Sequence, residues 1–372
     1  MDFFLPSFEI GGAERNTLNL LSYLNKEDYK TSLVLAQNTG GFLSELPRET
    51  IVVNLGSKGY LGIFLKLVSY LKKEKPDLLV SAFPHFNAIC LLAKKISKVN
   101  TKIVITEHTP FSLLPATARN FCNKLISIFL LPLLMKIVYP WADAVVCVSE
   151  GVKNDLLNVV KSLKDIKVVY NPIVTEKLSV LADEDVDHAW FKDRSIPIII
   201  AVGRLAKAKD YPTLLRAIKI ILKKRIVRLV VLGRGPEELK LKGLVKDMNL
   251  VENVDFLGSE NNPYKYIKRS SVFVLSSIQE GFGNSIVEAM ACAIPVVATN
   301  CYSGPPEILQ EGSSGLLVPP QDEKMLAEAI LKILDNPLVA EKLSSSGKKR
   351  SEYFSVERSA LEYIKIFHNL IN

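Results

Sequence analysis

Eight short apolar runs, four in each half of the chain, constrain its fold more than any other feature. They lie at 33–36, 78–80, 103–105 and 144–148, and then at 198–202, 229–232, 272–275 and 295–298. Continuous, β-branched-rich runs of this length read as strands buried on both faces, which means a parallel sheet covered by helices. Each run is followed by a loop of Gly, Pro or polar residues and then a helical stretch, the alternation of a doubly wound α/β unit. Two such sets in 372 residues predict two Rossmann-like domains, 1–180 and 181–353. The joint falls between the turn signal Asn171-Pro172 and Pro197, across an acidic, strand-free stretch at 182–188. Leu361, Ile364, Phe367 and Leu370 have helical spacing, so 354–372 is expected to be a helix that packs back on the first domain.

Composition narrows the class. With 48% hydrophobic and 23% charged residues the chain is globular rather than disordered. Forty-seven basic residues against 39 acidic ones give +8, which suggests an anionic partner. That excess is uneven: from Lys58 to Lys136 there are twelve Lys or Arg and three acids, Glu74, Asp77 and Glu107. Five cysteines, with no CxxC pair, indicate neither a zinc site nor a disulfide framework, and reduced cytoplasmic thiols are expected. The start, Met1-Asp2-Phe3-Phe4-Leu5-Pro6, has no basic region or long apolar core, so it does not read as a signal peptide. The most apolar stretch, 125–135, is interrupted by Pro132 and falls well short of the roughly 20 residues a membrane span needs.

Ligands of open parallel sheets bind beyond the carboxyl ends of the strands. After the run at 198–202 comes Gly203-Arg204-Leu205-Ala206-Lys207-Ala208-Lys209, a glycine that admits close approach followed by separated cations suited to a diphosphate. After 229–232 comes Gly233-Arg234-Gly235-Pro236-Glu237-Glu238, which is neither a Walker loop nor a full dinucleotide fingerprint and reads as a strand-to-helix turn. The most informative segment follows 272–275. There Glu280 lies in the loop, Gly281 and Gly283 let main chain approach a ligand, and Asn284 or Ser285 is placed to cap a helix carrying Glu288. Free N–H groups at that helix start form an anion site, while the two carboxylates suit hydroxyl-rich parts of the same ligand.

The span from Glu280 to Glu288 resembles the Glu-(seven residues)-Glu motif of family 4 retaining glycosyltransferases with the GT-B fold, also called group 1. Further matching pieces run in order along nearly the whole chain. They are Gly11-Gly12-Ala13-Glu14-Arg15, Val146-Cys147-Val148-Ser149-Glu150, Asn171-Pro172, Gly203-Arg204 with Lys209, Val254-Asp255-Phe256-Leu257-Gly258, and Pro295-Val296-Val297-Ala298-Thr299. The resemblance implies two Rossmann-like domains facing a central cleft, an N-terminal acceptor domain and a C-terminal nucleotide-sugar domain. It implies that Arg204 and Lys209 bind the donor diphosphate, that Glu288 holds the ribose, and that Glu280 touches the transferred sugar. Main chain from Gly281, Phe282, Gly283 and Asn284 to Ile286 would lie near sugar and phosphates, and Gly12 would approach the donor from the other domain. His108, in Thr106-Glu107-His108-Thr109, matches a position facing sugar and acceptor, and with Glu280 completes the candidate catalytic pair.

A sugar would then pass from a nucleotide-sugar, with UDP the expected base, to a glycan or a polyprenyl-diphosphate-linked or lipopolysaccharide acceptor, with retained configuration and no cofactor or metal. The Asp-x-Asp spacing within Asp183-Glu184-Asp185 follows no strand and reads as a solvated linker rather than a metal site. Ser303-Gly304-Pro305-Pro306-Glu307-Ile308-Leu309 resembles a subset acting on bacterial surface-glycan intermediates. The cationic, apolar stretch from Arg119 to Met135 suits an anionic membrane interface or, equally, a buried helix. Two other readings stand beside the transferase: a sugar-nucleotide epimerase of the same fold, and a basic membrane- or nucleic-acid-binding protein with a decayed donor site. No basic patch interleaved with aromatics supports nucleic acid.

Overall fold

The computed structural model describes residues 1–27, 29–113, 130–193 and 195–371. The chain divides into two compact units, one formed by Met1–Ile173 with Val356–Asn372 and the other by Val174–Ser355.

The first unit holds a seven-stranded, all-parallel sheet. Its strands are β1 (Asp2–Leu5), β2 (Ser32–Leu35), β3 (Ile51–Asn54), β4 (Leu78–Ala82), β5 (Lys102–Glu107), β6 (Ala144–Cys147) and β7 (Ile166–Val168), in the order β3-β2-β1-β4-β5-β6-β7. β1, β2 and β4 are buried along almost their whole length, as strands covered on both faces must be. β3 is different: it sits at the sheet edge with Ile51 and Val52 exposed. Helix Val356–Ile371 packs on helix Gly12–Lys26 and buries Ala360, Tyr363 and Phe367 in the core shared by β1, β2 and β4. Of the residues its spacing put on the buried face, Phe367 is buried and Ile364 and Leu370 pack partly buried against the same core, while Leu361 is 45% exposed.

The second unit holds a six-stranded parallel sheet. Its strands are β8 (Ile198–Val202), β9 (Arg228–Leu232), β10 (Val254–Gly258), β11 (Val272–Leu275), β12 (Val296–Thr299) and β13 (Leu316–Val318), ordered β10-β9-β8-β11-β12-β13. All eight apolar runs become strands, β2, β4, β5 and β6, then β8, β9, β11 and β12. Helices Tyr211–Ile221 and Glu323–Leu334 close one face over a core that includes Ile199, Leu214, Ile218, Val231, Val274, Leu326 and Ile330.

In each sheet the strand order runs one way and then the other from a single point. That switch lies between β1 and β4 in the first unit and between β8 and β11 in the second. Loops leaving the carboxyl ends of such neighbours diverge and open a crevice, which is where ligands of these folds bind.

The acidic stretch is not a bare linker. Residues Glu176–Asp183 form a helix packed on Tyr264–Lys268, and Lys268 pairs with Asp183, while Arg269 faces Asp185 at 3.7 Å. Cys90, Cys147, Cys292 and Cys301 are free and buried, and Cys122 lies outside the described residues. Among the described residues no helix is long and apolar enough to cross a membrane.

Candidate functional site

At the second switch point the loop after β8 meets the loop after β11. Two bonds to main-chain oxygens tie them: Ile278 N–H donates to Ala208 O at 2.8 Å, and the Ser276 side-chain Oγ donates to Lys209 O at 2.8 Å. This places Lys209 Nζ 2.5 Å from Glu280 Oε1, the same oxygen that Ser277 Oγ reaches at 2.6 Å. Gly203 lies against both side chains: a Cβ there would be in ordinary contact, 3.4 Å, with Lys209 Cε and Tyr211 Oη. Tyr211 Oη in turn donates to Gly203 O at 2.9 Å. Arg204, one residue on, is exposed and makes no ion pair with a described residue.

The Glu280 loop is held from below as well. Thr299 Oγ1, at the end of β12, donates to Ser277 O, and Ser303 Oγ donates to Glu280 O at 2.6 Å. Gly304 (φ +86°) lies so close that a Cβ would fall 1.8 Å from Phe282 O. The Phe282 ring turns inward and meets Phe354 edge-on at 5.6 Å, so its side chain anchors the loop. Burial and the Glu280 charge push the neighbouring Cys301 thiol up to about 12, which keeps it protonated and inert.

Helix Asn284–Ala291 begins here, and its cap corrects an expectation. Gly283 (φ +106°), rather than Asn284 or Ser285, occupies the cap position, and no side chain caps it. A left-handed residue is needed there, which glycine supplies without steric cost. Glu288 lies one turn into this helix, partly buried. Gly281, Gly283 and Glu288 therefore belong to the segment that starts at Glu280, and Lys209 is brought to it from the adjacent strand end. The Gly233–Gly235 turn has a structural account: a Cβ at Gly233 would sit 2.0 Å from Gly203 O, and one at Gly235 would sit 2.2 Å from Leu205 O. Both glycines are consumed in packing one loop on the other.

In the first unit, His108 follows β5 and lines a cavity of about 30 Å³, room for a water or so, together with Asn16, Ser81, Thr106 and Asn171. Its Nε2 lies 3.1 Å from Thr106 Oγ1, and burial pushes its imidazole down to about 4, so it is neutral near pH 7. The preceding Glu107 is buried and points elsewhere, accepting from Tyr139 Oη at 2.5 Å and Asn87 Nδ2 at 2.8 Å. Gly12 is exposed at the start of helix Gly12–Lys26, where Glu14 folds back so that a Cβ on Gly11 would meet its carboxylate at 2.3 Å. Phe83, with its ring 6.3 Å from that of His108, has φ +74°, a conformation rare for a bulky residue and concentrated at functional sites. Ser149, within Val146-Cys147-Val148-Ser149-Glu150, accepts from Val152 N and caps helix Glu150–Val159.

Sequence reasoning missed Ser277, Thr299, Ser303 and the mechanical need for Gly304. Their signal was available only as position: each ends a strand or opens the loop beside Glu280.

Comparison with known proteins agrees with this anatomy. The family described as "Glycosyl transferases group 1" matches residues 184–350, and "Glycosyltransferase Family 4" matches residues 10–177. The N-acetylgalactosamine-N,N'-diacetylbacillosaminyl-diphospho-undecaprenol 4-alpha-N-acetylgalactosaminyltransferase of Campylobacter jejuni is 31% identical over 376 residues, covering 98% of this chain and 99% of that one. The capsular polysaccharide biosynthesis glycosyltransferase CapM of Staphylococcus aureus is 28% identical over 77% of this chain and 75% of its own. Among solved structures, the sucrose-phosphate synthase of Thermosynechococcus elongatus superposes with a TM-score of 0.83 at 21% identity, covering 99% of this chain and 98% of that one. Anabaena HepE in complex with UDP-glucose gives 0.80 at 19% identity, with 99% of each chain covered. Two switch-point sheets, the Glu280–Glu288 segment and a full-length relative above 30% identity thus converge: the chain belongs to the group 1 glycosyltransferases of the GT-B fold.

Proposed function

We propose that the protein transfers a sugar from a UDP-sugar to a polyprenyl-diphosphate-linked glycan, with retained configuration at the anomeric carbon and without a metal. The observation that carries this reading is the Lys209–Glu280 pair at the switch point, beside the start of helix Asn284–Ala291. The nucleoside diphosphate is the leaving group, so negative charge grows on a phosphate oxygen as the glycosidic bond breaks. Lys209, Arg204 and main-chain N–H groups from Gly281 to Asn284 take up that charge, and loss of one such group lowers rates by about 10²–10³. Glu280 holds hydroxyls of the transferred sugar through the oxygen not occupied by Lys209 and Ser277, and Glu288 holds the ribose. Gly12 lets main chain approach the donor, and His108 meets the reacting sugar. No side-chain nucleophile is assigned.

The donor base is supported by the UDP-glucose complex of HepE, and the acceptor by the undecaprenol-linked substrate in the name of the Campylobacter jejuni relative, which also makes an N-acetylhexosamine the first sugar to try. A membrane-facing surface is supported by helix Leu131–Val138. It buries Leu131, Met135 and Val138 yet exposes Leu133 and Ile137, with Leu130 and Trp141 exposed at its ends and Lys136 and Lys95 beside them. Residues 114–129, including Arg119 and Lys124, lie outside the described residues.

The test is a matrix of UDP-, GDP- and ADP-sugars against short polyprenyl-diphosphate-linked saccharides, followed by NMR of the product anomer. UDP release that needs acceptor, persists in EDTA and yields an α product supports the reading. Acceptor-independent donor consumption would favour epimerase chemistry, and an inverted anomer would remove the retaining mechanism. Thermal shift with UDP on wild type and Glu288→Ala isolates the donor step, since a ligand that binds only the folded state raises Tm by mass action.

A further inference from the structure

Thr106 Oγ1 stands between two polar atoms, 3.0 Å from the main-chain oxygen of Ser81 and 3.1 Å from His108 Nε2. Thr106 is buried, 3% exposed, so bulk solvent does not compete for it. A hydroxyl has one proton to give, and a carbonyl oxygen can only accept. If the proton went to Nε2, the hydroxyl oxygen would face Ser81 O with lone pair against lone pair, one bond gained and one contact left repulsive. If it goes to Ser81 O, the hydroxyl oxygen accepts from an Nε2–H and both contacts are bonds. A buried polar contact left unmade is costly, so the second arrangement wins.

We infer that Thr106 is a positioning residue that holds neutral His108 as its Nε2–H tautomer and leaves Nδ1 as a hydrogen-bond acceptor for a hydroxyl of the sugar. The second half of this rests on the reading that His108 meets the reacting sugar. No carboxylate among the described residues bonds His108, and the adjacent Glu107 is engaged by Tyr139 and Asn87, so nothing opposes the neutral ring. The burial that pushes the imidazole down to about 4 acts in the same direction. His108 then selects its partner by the proton that partner donates: a deoxy or fluoro sugar at that hydroxyl cannot supply one.

Long-range proton–nitrogen NMR of histidine-labelled protein reads the tautomer directly, without substrate. The chain has four histidines, and a His108→Gln variant identifies the relevant signal. The expected result is an Nε2–H pattern in wild type and in Thr106→Ser, replaced by a tautomer mixture in the near-isosteric Thr106→Val. An Nδ1–H pattern in wild type, or an unchanged pattern in Thr106→Val, overturns the relay. Turnover decides the second half. Thr106→Val should lose on the order of tenfold in kcat with little change in donor KM, and Thr106→Ser should retain it. Full turnover in Thr106→Val with a scrambled tautomer overturns the acceptor role while donor shifts with UDP leave the transferase reading intact.

Discussion

Lys209 Nζ and Glu280 Oε1 lie 2.5 Å apart across the ends of β8 and β11, with side chains only 23% and 10% exposed. Two residues expected to serve different parts of one ligand are therefore already partners before it binds. The ammonium keeps two further protons for phosphate oxygens, and the carboxylate keeps its second oxygen for sugar hydroxyls.

We expect Lys209→Met to lower kcat/KM by about 10²–10³ and stability by about 1–3 kcal/mol, between the surface and buried limits for an ion pair. Adding Glu280→Gln should restore most of the stability, because no buried charge is then left unpaired, but none of the activity. Urea melts and initial rates on the two single variants and the double variant check this. A double variant that regains turnover would show that the pair is scaffold and not donor-binding machinery.

Glycines in the second unit separate sharply by what surrounds them. Gly304→Ala would press a Cβ into Phe282 O at a backbone angle of φ +86°, so the Glu280 loop must move. We expect a loss of about 2 kcal/mol or more, together with donor binding. Gly243, inside helix Glu238–Asp247, has nothing within 4 Å of the added methyl, and Gly243→Ala should stabilise by about 0.5–1 kcal/mol with activity unchanged. Equal effects from both, in thermal melts and UDP shifts, would contradict the packing described for Gly304.

The division between legible and illegible elements follows from burial. β8, β9 and β11 are central or nearly so, and apolar on both faces, so their runs stand out in sequence. β3 is an exposed edge and β7 and β13 are three residues long at the sheet ends, too brief and too mixed for periodicity to register. The site behaved likewise. Glu280 and Lys209 are charged residues in loops that follow strands, and Glu288 lies in the helix after one of them, so the segments that meet at the switch point could be picked out in the sequence. The Ser277, Thr299 and Ser303 hydroxyls shape the loop by bonds to main-chain or carboxylate oxygens, and nothing in a serine announces which oxygen it will meet.

Helix Leu131–Val138 exposes Leu133 and Ile137 at 58% and 54%, with Lys136 between them. Apolar residues four apart lie on one helix face, and under the proposed membrane contact this face would enter the interface with its cations at the headgroups. Leu133→Glu with Ile137→Glu should cut co-sedimentation with vesicles containing anionic lipid several-fold while leaving the melting temperature within a degree or two. Undiminished sedimentation would place any lipid contact elsewhere on the chain.

Glu107 gives a stability signature of its own. Burial pushes its carboxyl from 4.5 up to about 7, with the Asp155 charge adding to the rise and the Tyr139 and Asn87 hydrogen bonds opposing it; the buried Cys147 thiol is the other titratable neighbour. Because the folded pKa is the higher one, the folded protein holds this proton more tightly than the unfolded chain between pH 4.5 and 7. Folding stability from this group is therefore present at the acid end, falls as pH rises through that window, and levels off above it. Its full span is on the order of 3 kcal/mol. Glu107→Gln keeps an oxygen for the Tyr139 and Asn87 donors but cannot ionise, so its stability should lose that downward slope and gain on wild type most at pH 7.5. Urea unfolding at pH 5, 6 and 7.5 measures the difference, and parallel curves for the two proteins would mean that Glu107 is ionised throughout and that its hydrogen bonds outweigh its burial.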